Sequence, residues 1–369
     1  MLEGTFMNQY AATAMASLPL FLMLSMCPRV NATEIFNKNG NRVQLTGMLD
    51  ARHQFSPDSD TDGDQSYARF GFIGETKISR SVTGYGKWEY EIKVNKTEGG
   101  DDDSAYTRLG YSGIKVDRFG SLDYGRNYGI LYDIGAWTDI LPVFGNDSYE
   151  DTDRFMTGRS SGLLTWRNND LFGYVPGVSL ALQYQGKNSA EDRKSEIQNG
   201  DGYGVSVVWN GNDEISLGAA LTRSQRTPMQ KIDGQGDKAD AVTAGIKYNK
   251  ENILLAANYT RSNNIIHIED YGWIRRADSW EVVGQYSFDS GVQPGFAWVY
   301  TRGHGLKNNT GDTDIVNYVD VNASYIFNSN MSAYIDYKIN LINSSGNSGE
   351  NTLNVPTDDS IGIGIVYQF

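Results

Sequence analysis

Residues Lys87-Trp88-Glu89-Tyr90-Glu91-Ile92-Lys93-Val94 carry a charge at every odd position and an apolar side chain at every even one. Successive side chains of an extended chain point to opposite faces, so this segment reads as a strand with one polar and one apolar face. Three windows elsewhere repeat the pattern. Val319, Val321, Ala323, Tyr325 and Phe327 alternate with Asp320, Asn322 and Ser324. Ile335, Tyr337, Ile339 and Leu341 alternate with Asp336, Lys338 and Asn340. At the end of the chain Ile361, Ile363, Ile365, Tyr367 and Phe369 alternate with Ser360, Gly362, Gly364 and Gln368. A soluble sandwich also alternates, but its core needs large residues throughout.

Connection lengths separate the two architectures. Short turns fall near Arg80–Val82, Asp117–Gly120, Gly211–Asp213, Asn249–Asn252, Asp289–Gly291 and Asn328–Asn330, with a longer one at Asn169–Gly177. Between them lie long polar connections at Pro57–Gln65, Glu98–Ser104, 129–158, Asn188–Gly202, Gln225–Lys238, Asn263–Arg275, Gly303–Asp312 and Asn343–Pro356. Seven short and eight long connections join sixteen strands, an even number. Short turns at one end and long loops at the other mark an all-β, 16-stranded antiparallel transmembrane barrel of the outer-membrane type. Closure removes the unpaired edges that lipid would not tolerate. No second domain is indicated: residues 33–369 form one barrel.

One long connection differs from the rest. From Gly129 to Arg159 the alternation stops, yet Ile130, Leu131, Ile134, Trp137, Ile140, Leu141, Val143 and Phe144 make the stretch too apolar for a solvated loop. A loop this long in a compact domain is normally functional. Residues 129–158 are therefore expected to fold back into the enclosure built by the strands.

Composition bounds the function. The net charge is −13, against nucleic-acid binding, which needs a basic surface. Tyr (23) and Gly (41) are abundant and Pro (8) is scarce, suiting a large sheet with aromatic ends. Lipid-facing Trp and Tyr near strand ends are expected to form interfacial girdles. After residue 32 there is no apolar run long enough for a membrane helix. Residues 1–32 read as a signal peptide: an apolar run from Ala11 to Cys27 leads to Val30-Asn31-Ala32, a signal-peptidase site. Cys27 is the only cysteine, and Met26 beside it is too bulky for a lipoprotein signal. The mature chain then lacks thiol and disulfide chemistry.

The matching motifs, taken together, place the chain beside a known family. Tyr67-Ala68-Arg69, Gly84-Tyr85-Gly86-Lys87-Trp88-Glu89-Tyr90, Asp123-Tyr124-Gly125-Arg126-Asn127-Tyr128-Gly129, Leu141-Pro142, Phe144-Gly145 and the terminal Phe369 resemble, in order, the trimeric general porins of enterobacterial outer membranes. The resemblance covers the mature chain from Thr33-Glu34-Ile35-Phe36-Asn37 to Val366-Tyr367-Gln368-Phe369. It implies a water-filled channel for passive diffusion of small hydrophilic solutes and ions, a homotrimer, and no cofactor. It also implies that 129–158 is the third external loop, narrowing the pore at mid-height.

Carried over by position, the resemblance sets Arg69, Arg108 and Arg159 on the wall against Asp139 and Asp147 on the loop. Parity supports two of the arginines independently: Arg69 alternates with Phe70 and Phe72, and Arg108 with Leu109 and Tyr111, so both are expected to face the lumen. Glu89 points inward by the same rule and is expected to steady Arg69. Two positions depart from the family: Val143 stands where relatives carry a loop glutamate, and Met48 where they carry a lysine, with Asp50 and Arg52 following at the same parity. The family's subunit latch is matched by Asn95-Lys96-Thr97-Glu98-Gly99-Gly100, and implies that Glu98 meets Arg126 across the trimer interface. Tyr367-Gln368-Phe369 resembles the assembly signal of outer-membrane proteins.

Other motifs carry less. Asp58-Ser59-Asp60-Thr61-Asp62-Gly63 begins like a calcium loop, but Arg69 occupies the position of the bidentate glutamate. With Asp101-Asp102-Asp103 it reads as an acidic external loop facing lipopolysaccharide. His53, His267 and His304 lack metal-ligand spacing, and no nucleophile–base pair stands out, so no enzyme activity is expected. The competing readings are a substrate-selective barrel channel and a surface receptor or adhesin. External loops rich in Asp, Asn and Gly would also suit phage or colicin.

Overall fold

The structure, a computed structural model, describes residues 32–99, 104–211, 214–269, 271–306, 311–342, 353 and 355–369. The expected signal peptide, apart from Ala32, lies outside the described residues, as does Asp101-Asp102-Asp103.

Sixteen strands run in chain order. They are β1 (Asn41–Phe55), β2 (Tyr67–Lys77), β3 (Val82–Lys93), β4 (Ala105–Val116), β5 (Gly120–Tyr128), β6 (Arg159–Asn168), β7 (Val178–Gln185) and β8 (Gly202–Gly211). There follow β9 (Ile215–Gln225), β10 (Lys238–Lys250), β11 (Ile253–Asn263), β12 (Arg276–Tyr286), β13 (Val292–Leu306), β14 (Gly311–Asn328), β15 (Met331–Asn340) and β16 (Ser360–Gln368). Each pairs antiparallel with its sequence neighbours, and β16 pairs with β1 from Phe55↔Ile361 to Met48↔Gln368. The sheet is therefore a closed barrel. Residues Thr33–Lys38 continue the line of β16: Gly47 exchanges both backbone hydrogen bonds with Phe369 (3.0 and 2.9 Å), and Leu45 is already opposite Thr33. Thr33–Lys38 and the C-terminal Phe369 thus meet on β1, so no edge is left unpaired where the barrel closes.

Alternation follows the sequence pattern. Leu217, Leu221, Ile246, Leu255, Phe296, Val321, Ile335 and Ile363 project outward and are exposed. Aromatic pairs flank this apolar band: Tyr184–Tyr203, Tyr259–Trp280 and Trp298–Tyr300 toward the long loops, and Tyr286–Phe288, Tyr325–Phe327 and Tyr367–Phe369 toward the short turns. These are the two interfacial belts of a barrel in lipid.

One connection differs from expectation. The loop expected at Gly303–Asp312 is mostly ribbon, because β13 runs to Leu306 and β14 starts at Gly311, with Gly303 opposite Thr313. His304 and Asp312 (2.8 Å) tie the two strands there. Polar composition signalled a loop; cross-strand charge pairing extends the hairpin instead. In the Asp58–Gly63 motif, Asp62 Oδ1 accepts the Ser56 N–H (3.0 Å) and Asp58 Oδ1 the Asp60 N–H (3.0 Å), so these acids hold a turn.

Candidate functional site: a constricted lumen

Residues 129–158 leave the wall at β5 and turn inward. The neck is closed by a hydrogen bond from Gly129 N–H to Gly158 O (2.8 Å). One helical turn, Tyr132–Gly135, follows. Its apolar side chains explain the inward path: Ile130, Leu131, Ile134, Trp137, Phe155 and Met156 are at most 1% exposed. Burying each such side chain is favourable by about 1.5–3 kcal/mol relative to leaving it in water. The wall makes room with glycines. A Cβ on Gly218 would stand 2.3 Å from Ile134 Cδ1 and 2.7 Å from Trp137 Cη2, and one on Gly204 would stand 2.5 Å from Ile130 Cγ2.

Polar ties fix the rest of the loop. Glu281 on β12 accepts from Ser148 Oγ (2.6 Å), from Asn258 Nδ2 (3.0 Å) and from Thr138 Oγ1. The Ser148 carbonyl accepts from Thr301 Oγ1 (2.8 Å) and Ser279 Oγ (3.2 Å). At the far end Asp336 Oδ2 accepts from the N–H groups of Val143 (2.7 Å) and Phe144 (3.3 Å). Val143 packs on Gly362 of β16, where a Cβ would lie 2.6 Å from Cγ2. Arg52 donates to the Pro142 carbonyl (2.9 Å) while it pairs with Asp50 (2.6 Å) and Tyr334 Oη (2.8 Å). The loop therefore runs along the wall from β8 round to β16 and β1.

The arginines lie on the remaining arc. Arg69 (β2) contacts Glu91 and stacks on Tyr67, 4.5 Å from the ring centre. Arg108 (β4) donates from Nε to Glu89 (2.8 Å) and from an NH group to Glu91 (3.1 Å). Arg159 opens β6 and donates to Thr152 Oγ1 on the loop (3.2 Å). A cavity of about 190 Å³ next to it is lined by Tyr128, Tyr132, Asn146, Glu150, Asp151, Thr152 and Gly158. On the loop, Asp139 accepts from Tyr132 Oη (2.5 Å), while Asp147 accepts from Tyr318 Oη (2.7 Å) and lies 3.8 Å from Lys338 Nζ.

Two expectations need correction. Arg108 was expected inward because Leu109 and Tyr111 would face lipid. Leu109 and Tyr111 instead sit opposite Glu89 and Lys87 and share their luminal face. Arg108 is the extra residue of a β-bulge: Glu89 pairs with Leu109 and Tyr90 with Thr107. The bulge aims the guanidinium at Glu89 and Glu91, an orientation the parity argument does not account for. Glu89 was expected to steady Arg69, but its direct partners are Arg108 and Lys87 (3.4 Å). The partner of Arg69 is Glu91, whose signal was present: it has the same parity as Glu89 in the opening stretch.

Some aromatics also reach the lumen, although most face lipid. Tyr85, Tyr106, Tyr318 and Tyr334 donate to Asp123, Glu91, Asp147 and Asp50 respectively. Each is tied into the charge network, because a hydroxyl buried beside carboxylates gains most by donating to one.

Arg126 lies opposite Gly110 on the outer face, forked onto both oxygens of Asp153 (2.5 and 3.0 Å) and onto the Thr107 carbonyl (2.9 Å). Glu98 is exposed in the loop after β3. Within the inward-folded loop, burial and then the Glu281 and Asp139 carboxylates push the Glu150 carboxyl well above the usual range.

Comparison with known proteins agrees with this architecture. A family model described as Gram-negative porin matches residues 38–369. The chain is 46% identical over 352 residues to outer membrane porin C of Enterobacter cloacae subsp. cloacae, covering 92% of this chain and 95% of that protein. It is 48% identical over 345 residues to outer membrane porin PhoE of Enterobacter cloacae, with the same coverages of 92% and 95%. A solved Salmonella typhi OmpF complex with daunomycin superposes with a TM-score of 0.84 at 39% identity, over 91% of this chain and 100% of that one.

Proposed function

Because this chain belongs to the Gram-negative porin family, and is an outer-membrane channel, we propose that its pore is set by the apposition of residues 129–158 to the arc carrying Arg69, Arg108 and Arg159. The observation that carries this reading is the path of the loop: buried apolar root, then ties to Glu281 and Asp336 and, beside the arginine arc, to Arg52 on β1. Guanidinium groups face Asp139 and Asp147 across water. Unit charges about 10 Å apart interact by roughly 2 kcal/mol at an effective dielectric of 20, and by about 0.4 in bulk water. That orients a dipolar solute without retaining it, and conduction requires departure as much as entry. The lumen passes small hydrophilic solutes and ions passively, with no cofactor or energy source. Single-channel recording in a planar bilayer tests this: open levels in steps of three support a trimeric channel, and a silent barrel refutes it.

The same reading extends to assembly and surroundings. Three copies associate through the outer face around β1–β5, with Glu98 of a neighbouring subunit joining Arg126 and Asp153. Residues 1–32 are removed as a signal peptide. Beyond the upper aromatic belt, outward Arg261 and Arg302, paired with Asp278 (2.7 Å) and Asp314 (3.4 Å), support a role in meeting lipopolysaccharide phosphates. The external loops remain available to phage or colicin.

A further inference from the structure

Glu91 occupies an unusual place: it lies between two arginines of the proposed constriction. One oxygen accepts from both Arg69 Nε and Arg108 (3.1 Å), and the other from the Tyr106 hydroxyl. Its side chain is 8% exposed and that of Arg108 9%, so both are held at the wall, while Arg69 at 28% keeps a face toward the lumen. Glu89 takes the remaining Arg108 Nε (2.8 Å). The arc thus sets Arg69, Arg108 and Lys87 in direct contact with two carboxylates, while Arg159 is tied to Thr152 (3.2 Å). Next to this arc Arg52 of β1, which shares the Tyr67 ring with Arg69 (5.3 and 4.5 Å from its centre), is already paired with Asp50 (2.6 Å). Met48 beside it contributes a sulfur to Arg69 (3.8 Å) rather than a charge.

We infer that Glu91 is a selectivity-determining residue of this channel: by screening Arg69 and Arg108 it shifts the constriction toward cations. The inference rests on the constriction reading above, and adds the sign of the ion preference and the residue that sets it. The apparent wall of guanidinium groups then has little positive potential to oppose Asp139 and Asp147 on the loop. An ion passing about 7 Å from an uncompensated charge, with a screening length of ~8 Å at 0.15 M, changes the cation-to-anion permeability ratio about twofold. At 0.01 M, where the screening length is ~30 Å, the same charge changes it about fivefold.

Reversal potentials across a KCl gradient test this on the intact assembled porin. The wild-type channel is expected to prefer potassium, and Glu91→Gln to lower the potassium-to-chloride ratio about twofold at 0.15 M and more at 0.01 M. Single-channel conductance in 1 M KCl, where charge is screened, should stay near wild type. An unchanged ratio, a shift toward cations, or a conductance change in 1 M KCl as large as the selectivity change would overturn the inference; the last would mark a purely steric role. Should Glu91→Gln fail to assemble, Arg69→Gln combined with Glu91→Gln removes the pair without leaving either charge alone. That variant is expected to keep the wild-type ratio, and a twofold shift in it would refute the screening role. A wild-type barrel that conducts nothing would instead refute the porin reading itself.

Discussion

Replacing Glu281 with Ala should loosen the constriction loop without unfolding the barrel. Glu281 is 4% exposed and collects donors from Ser148, Thr138 and Asn258. Hydrogen bonds to a charged group contribute about 1.5–3 kcal/mol each. Part of that is offset by keeping a carboxylate out of water, which costs several kcal/mol. A net loss of about 3 kcal/mol is a reasonable order of magnitude, and at tenfold per 1.4 kcal/mol it raises the detached population roughly 100-fold. The displacement should stay local, because Thr301 and Ser279 still hold the Ser148 carbonyl and the Ile134–Trp137 root stays on its glycines. Single-channel recording at constant voltage reads this as more frequent brief transitions, and limited proteolysis as faster cleavage between Thr138 and Ser148. Glu281→Gln, which keeps the shape and loses the charge, should fall between. If Glu281→Ala trimers are as quiet and as protease-resistant as wild type, the loop is held by its apolar root alone and the reasoning fails.

Three further outcomes follow from the same geometry. Exchanging Arg69, Arg108 and Arg159 together for Ala should raise cation preference; an unchanged reversal potential with intact trimers would remove these residues from the filter. Glu150 has its carboxyl raised above the ordinary value by burial and by Glu281 and Asp139. Its neutral form therefore favours the seated loop below the ordinary carboxyl value near 4.3, and that contribution is lost as pH climbs through the raised one. Current noise should grow toward alkaline pH in wild type and stay flat in Glu150→Gln; identical pH profiles would count against the assignment. Glu98→Ala should lower the temperature at which trimers dissociate on semi-native gels, by a few degrees, and Asp153→Asn should do so as well by freeing Arg126 from its fork. Unaltered melting of both would leave the interface to apolar contacts.

Strand identity, number and facing were legible because lipid and water impose a period of two that local composition has to satisfy. The inward course of residues 129–158 was legible for a similar reason: eight apolar side chains inside a break in that period have to be buried somewhere. Glu91 could have been read from its parity with Glu89, since both alternate with Trp88, Tyr90 and Ile92. Arg108 could not, because a single bulged residue reverses the facing of everything beyond it, and nothing in Tyr106-Thr107-Arg108-Leu109-Gly110 announces the bulge. The sequence by itself determined the closed sheet and which loop enters it, since those follow from patterns a few residues long. Only the tertiary structure decided which carboxylate meets which guanidinium, and that Glu281, Asp336 and Arg52 hold the loop, because these contacts join strands far apart in the chain and depend on the register in which the barrel closes.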